Sequence, residues 1–111
     1  MAPEPDDTGR FSDPGLLILA SLSAGPKHGY AMMEDIAAFS GTRLEPGTLY
    51  GALARLEHGG WVEALAADDR RRPYRLTGLG QTTLDARLAT LERIVRAGRT
   101  RMHATNSRGT R

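Results

Sequence analysis

The sequence predicts a mainly α fold carrying one small β-hairpin, and three observations lead there. Apolar residues recur at helical spacing in four separate segments. Gly and Pro residues cut those segments into short units. Between the third and fourth of them, Trp61 to Thr77 has the pattern of two short strands around a polar tip.

Each element follows from local chemistry. Residues 1–11 combine Pro3, Pro5, acids and Gly9 and are expected to be a disordered leader. Ser12 or Asp13 then caps a helix with Pro14 at its first position. Leu16, Leu17, Leu19, Ala20 and Leu22 make that helix apolar on more than one side, so it should be largely buried, and Gly25-Pro26 ends it. A second helix is expected from His28 or Gly29 to about Ser40. Tyr30, Met33, Ile36 and Ala37 form its buried stripe, Glu34 and Asp35 face water, and Gly41 terminates it.

The third helix has Glu45 and Pro46 in its first turn and runs to Gly59-Gly60. Leu49, Leu53 and Leu56 fall at i, i+4 and i+7, one stripe that needs a core. Its opposite face carries Gly47, Thr48, Gly51, Ala54 and Arg55, small or hydrogen-bonding side chains that allow close approach to a groove. The B-DNA major groove admits such a helix, and a preceding helix makes the pair a helix-turn-helix. Trp61 to Leu65 and Tyr74 to Thr77 then form a wing, with Trp61, Leu65 and Leu76 as anchors to the helical core. From about Gly80 to His103 a last helix spaces Leu84, Leu88, Leu91 and Val95 as 4-3-4 and continues through Gly98 to Met102. That is the seam of a helix that packs along another helix, and a twin subunit would bury it. The expected organisation is a winged helix-turn-helix domain over 12–78, a C-terminal dimerisation helix over 79–104 and a disordered tail over 105–111.

Composition narrows the function. The chain has 111 residues, 40% hydrophobic and 25% charged, which fits one soluble globular domain with tails. There is no cysteine, so disulfides, thiolate zinc sites and cysteine nucleophiles are excluded together. No apolar run is long enough to span a bilayer and the acidic N-terminus lacks a signal-peptide layout, so a cytoplasmic location is expected. His28, Glu34 and Asp35 are not spaced as a metal site, and no Gly-rich phosphate loop or Ser/His/Asp grouping occurs. Neither a cofactor nor an enzymatic activity is expected. The net charge of +2 is unevenly spread: Arg70, Arg71 and Arg72 cluster at the wing tip, and six arginines with no acid run from Arg93 to Arg111. Basic surfaces of this kind suit a polyanion.

Three segments resemble the PadR family of bacterial winged-helix transcriptional regulators. They are Lys27-His28-Gly29-Tyr30, the run from Pro46 to Glu57 containing Gly47-Thr48-Leu49-Tyr50, and Arg71-Arg72-Pro73-Tyr74-Arg75-Leu76-Thr77. With their flanking helices they span roughly residues 14 to 95. The resemblance implies a homodimer joined through the C-terminal helices, each winged helix reading half of a roughly palindromic operator in double-stranded DNA. It also implies repression, with release by a small aromatic or hydrophobic effector. By the same resemblance Thr48 and Tyr50 would meet phosphates or base edges. Lys27 and Tyr30 would fix the DNA backbone, and Arg71 and Arg72 would follow the minor groove. The face around them adds His28, Arg43, Pro46, Gly47, Gly51, Arg55, Arg70 and Tyr74 to the candidate DNA contacts. Leu84, Leu88, Leu91, Val95 and Met102 are the candidate dimer residues. Trp61 is read as core packing under the wing, with an effector pocket as its second reading.

The chain departs from the family pattern at Pro73, which cannot donate a ladder hydrogen bond, so the second wing strand should begin after it, at an edge. Leu79 replaces a commonly charged residue and implies extra packing. The single C-terminal helix matches the short members of the family. The alternative to a DNA-binding regulator is a winged helix used for protein–protein contact, indifferent to the Arg70–Arg72 cluster.

Overall fold

A computed structural model describes residues 13–109. The expected leader therefore lies outside the described residues. Seven elements follow in order: α1 (Pro14–Leu22), β1 (Lys27–His28), α2 (Gly29–Ser40), α3 (Pro46–His58), β2 (Val62–Ala64), β3 (Pro73–Leu76) and α4 (Gly78–Gly109).

Helix α1 starts where its cap allows. The Asp13 carboxylate accepts the Leu16 amide at 3.0 Å, satisfying one of the orphan donors of the first turn, and Pro14 needs no partner there. Leu16 to Leu19 and Leu22 are all buried, so this helix is the central post of the core. Against it pack Met32 and Ile36 of α2, Leu49, Ala52, Leu53 and Leu56 of α3, Val62 of β2 and Leu84 of α4. The α3 stripe is thus the one its spacing demands.

The stripe of α2 is rotated from the expected one. Met32 and Ile36 are buried and Met33 and Ala37 half-buried, while Tyr30 points out with 64% of its surface exposed. Asp35 does not face water freely. It accepts the Ser21 hydroxyl at 2.7 Å and lies 3.8 Å from the Lys27 ammonium, which also donates to the Ser21 carbonyl at 2.6 Å. This polar knot ties α1, β1 and the middle of α2 together, and it satisfies the buried Ser21. Gly41 closes α2 with φ 76, a left-handed cap that glycine adopts without β-carbon strain.

The wing is part of a three-stranded antiparallel sheet in the order β1-β3-β2, not a lone hairpin. Lys27 pairs with Tyr74 and His28 with Pro73, while Val62, Glu63 and Ala64 pair with Leu76, Arg75 and Tyr74. The expectation that the strand begins after Pro73 and at an edge is corrected: β3 begins at Pro73 and is the middle strand. The first residue of a strand tolerates the missing N–H. The Pro73 carbonyl still accepts the Leu65 amide at 2.8 Å. Trp61 and Leu76 anchor the wing on the core as half-buried groups, but the fully buried wing residue is Val62.

Helix α4 is fastened at its start. The Thr77 hydroxyl donates to the Gly60 carbonyl at 2.6 Å and accepts the Gly80 amide at 3.0 Å, and Arg87 pairs with Asp13. Leu79 is exposed there, so the extra packing expected of it is absent. The helix reaches Gly109, beyond residue 104 where the sequence pattern ended it. Its 32 residues extend the molecule to 63 Å along one axis.

Candidate nucleic-acid interface

The start of α2, Tyr50 from the second turn of α3 and the wing converge on one cleft of about 480 Å³, lined by His28, Gly29, Tyr30, Tyr50, Arg70, Arg71, Arg72 and Tyr74. Seven of the candidate contacts meet there, brought from segments more than forty positions apart in the chain. Their convergence has a local cause. Pairing of β1 with β3 carries the wing beside the start of α2, and the α3 stripe, anchored in the core, leaves Tyr50 on the flank facing it.

His28 is the hinge pin of this arrangement. Its Nδ1 accepts the Ala31 amide at 3.4 Å as the cap of α2, and its Nε2 stands 3.4 Å from a guanidinium nitrogen of Arg71. Arg72 donates to the Leu65 carbonyl at 2.8 Å, bracing the far side of the wing. Arg75 pairs with Glu63 across β2 and β3 at 2.6 Å. The tip is a two-residue turn: Asp68 and Arg71 exchange backbone hydrogen bonds, and Asp69 and Arg70 between them have φ of 51 and 71. Burial pushes the Tyr74 phenol above its ordinary range; the nearby Glu57 carboxylate and Tyr50 push the same way, and Arg72 partly opposes them.

The remaining candidates sit elsewhere. Pro46, Gly47 and Thr48 are exposed at the start of α3, with Arg55 exposed farther along the same outer face and Gly51 half-buried. Arg43 is exposed but paired with Glu34 at 2.9 Å. Lys27 lines a neighbouring cleft, and its ammonium is committed to the Ser21 carbonyl and Asp35 rather than presented outward. Trp61 covers Gly59 so closely that a β-carbon there would overlap the indole ring. Leu84 is buried in the chain's own core, which corrects its assignment as a candidate dimer residue. Beyond it Leu91 is half-buried against the core, and Leu88, Ile94, Val95 and Met102 are exposed. Two residues are missing from the candidate contacts, Gly29 in the cleft, quoted only as part of a family segment, and Ile94 on α4. A glycine opening a helix, where alanine is the better helix former, was the available signal for the first. Ile94 lies one position off the 4-3-4 spacing and carries no such signal.

A small helical core with an exposed third helix, an arginine-tipped wing and a long terminal helix defines a winged helix-turn-helix transcription regulator. The comparisons with known proteins name the family. The model of the transcriptional regulator PadR-like family matches residues 18–86, and the chain belongs to that family. Proteins of that family are transcription regulators, not enzymes. A transcriptional regulator of Clostridium thermocellum is 26% identical, with a TM-score of 0.69 over 78% of this chain and 89% of that one. A PadR family transcription regulator of Clostridium difficile shares the fold with a TM-score of 0.73 at 22% identity, over 80% of this chain and 97% of the other. An uncharacterized 37.1 kDa protein from a transposon of Streptomyces fradiae is 44% identical over 85 residues, 77% of this chain. The match spans only 25% of that relative's length. Among the described residues no helix is long and apolar enough to cross a membrane, and no group of three or more His, Asp or Glu residues could hold a metal ion.

Proposed function

We propose that the protein binds double-stranded DNA as a homodimer at a roughly palindromic operator and represses transcription there. The observation that carries this reading is the cleft in which Arg70, Arg71 and Arg72 meet Tyr30, Tyr50 and Tyr74 beside the exposed start of α3. Cationic and hydroxyl-bearing side chains of this kind contact phosphates and fix register, while the few side chains on the outer face of α3 reach base edges. Thr48 and the amides of the first α3 turn suit a phosphate. In a dimer the half-sites lie about 34 Å apart or at a comparable spacing set by the helices that join the protomers. The exposed Leu88, Ile94, Val95 and Met102 support that joint, because such side chains gain about 1.5–3 kcal/mol each on burial.

Release by a small hydrophobic or aromatic effector completes the proposal. A cleft of about 600 Å³ lined by Ser23, Gln81, Thr82, Asp85, Leu84 and Leu88 adjoins the apolar face of α4. An effector there changes DNA affinity only by binding one arrangement of the two protomers better than another.

The test is fluorescence anisotropy with DNA from upstream of the protein's own gene, at several salt concentrations and with excess random competitor. Competitor-resistant binding that tightens as salt falls and saturates at two protomers per site is expected. Arg71→Ala should weaken binding to every sequence and flatten the salt slope by about one unit. Binding abolished by random DNA, or unchanged in the variant, would turn the wing into a protein-contact surface instead.

A further inference from the structure

Gly29 opens α2 and has an ordinary helical backbone, outside the left-handed region occupied by Gly25, Gly41 and Gly60. Its dihedrals therefore give no reason for glycine. Glycine loses more conformational freedom on folding than any other residue, so this position carries a cost without a backbone benefit. What an alanine would meet is specific. The three atoms nearest to a β-carbon at 29 all belong to Tyr50: it would overlap the phenol oxygen and stand 2.6 Å from Cζ and 2.9 Å from Cε1. These are the far end of a side chain that can swing, not backbone.

We infer that Gly29 is a positioning residue for Tyr50: the bare backbone at 29 seats the phenol of the third helix against α2. Tyr50 keeps 48% of its surface exposed, so one edge of the ring rests on Gly29 while the rest faces the arginine-lined cleft. A half-exposed tyrosine held by backbone contact enters a complex with less rotamer freedom to lose, the usual benefit of preorganisation. The same seat aims the hydroxyl between the opening of α2 and the wing, where Tyr74 and Arg70–Arg72 also converge. Gly29 touches no ligand itself; its effect passes through Tyr50. The inference rests on the DNA-binding reading above.

Substitution separates this role from a structural one. Gly29→Ala is expected to leave the melting temperature unchanged or raised, because alanine favours helix and the phenol gives way. It should weaken operator binding about threefold to tenfold, the loss of roughly one hydrogen bond. Tyr50→Ala should weaken binding similarly, and the double variant should bind no worse than Tyr50→Ala alone, the signature of coupled positions. NMR adds a readout independent of DNA: the Tyr50 ring should show nuclear Overhauser contacts to the Gly29 α-protons in the full chain. Wild-type protein that shows those contacts yet binds no operator would sink the DNA-binding reading and leave the seat. Operator binding by Gly29→Ala equal to wild type, losses that add in the double variant, or a lowered melting temperature would each overturn the positioning role.

Discussion

Tyr74 sits where the wing meets the helices, and its surroundings make the fold sensitive to alkali. Desolvation raises its pKa first, the charges of Glu57 and Tyr50 next, and Arg72 offsets part of this. The unfolded chain therefore loses this proton at lower pH than the folded one. The contribution is fully present below the ordinary tyrosine value of 10.0 and is lost as pH rises through the higher folded value. Urea titrations at about pH 9 and about pH 11 should show wild type losing more stability than Tyr74→Phe, with Tyr30 and Tyr50 common to both. Identical losses would remove Tyr74 as the cause. Single residues were also where sequence reading slipped. Tyr30-Met33-Ile36-Ala37 and Met32-Ile36 both satisfy a helical period, and only the position of α1 decides which stripe is inside. Lys27 looked like a free cation because Ser21 and Asp35, six and eight positions away, become its partners only through the fold.

At the level of elements, the wing is the most revealing. Asp68 and Arg71 close a two-residue turn whose middle residues are both left-handed, the geometry that Asn-Gly or Asp-Gly favours. Aspartate accepts it; Arg70 does so at a cost of roughly 1–2 kcal/mol for an L residue with a β-carbon. A strained arginine at the tip of a cationic wing is the pattern of strain kept for function. Arg70→Gly relieves the strain but gives the unfolded chain about 0.4–1 kcal/mol more freedom to lose. The first effect is larger, so the variant should be more stable by about 0.5–1 kcal/mol in urea unfolding. Its DNA affinity should fall at the same time. Stability and affinity moving in the same direction would refute the strain account. The hairpin itself was legible, because Gly59-Gly60, the polar tip and the apolar flanks mark it. Strand β1 was not: two residues are too few to show alternation, and only their pairing with Pro73 and Tyr74 makes them a strand. The far end of α4 was missed for the opposite reason, since Ser, Gly and Arg after residue 104 imply a tail by composition.

On the scale of the whole molecule, α4 reaches far beyond the core it starts from. It is tied to the core through Leu84 and, half-buried, Leu91, while Leu88, Ile94, Val95 and Met102 lie in solvent. Two substitutions on one helix should therefore act on different things. Leu84→Ala leaves a cavity and should cost the protomer about 2–5 kcal/mol, read by thermal or urea unfolding. Val95→Glu buries nothing in a single copy and should leave the winged domain folded by circular dichroism. If a twin subunit covers this face, the glutamate separates the protomers, and sedimentation should show half the wild-type mass. Operator binding then loses its second, intramolecular step, a factor of about 10²–10⁴ in avidity. Fewer phosphates are neutralised per complex, so the salt slope should fall to about half. The two readouts must move together, because both follow from replacing a bivalent ligand with a monovalent one. A Val95→Glu protein of unchanged mass would show that this face joins no second copy. A monomer that kept both the affinity and the slope would show that one winged helix accounts for all the binding.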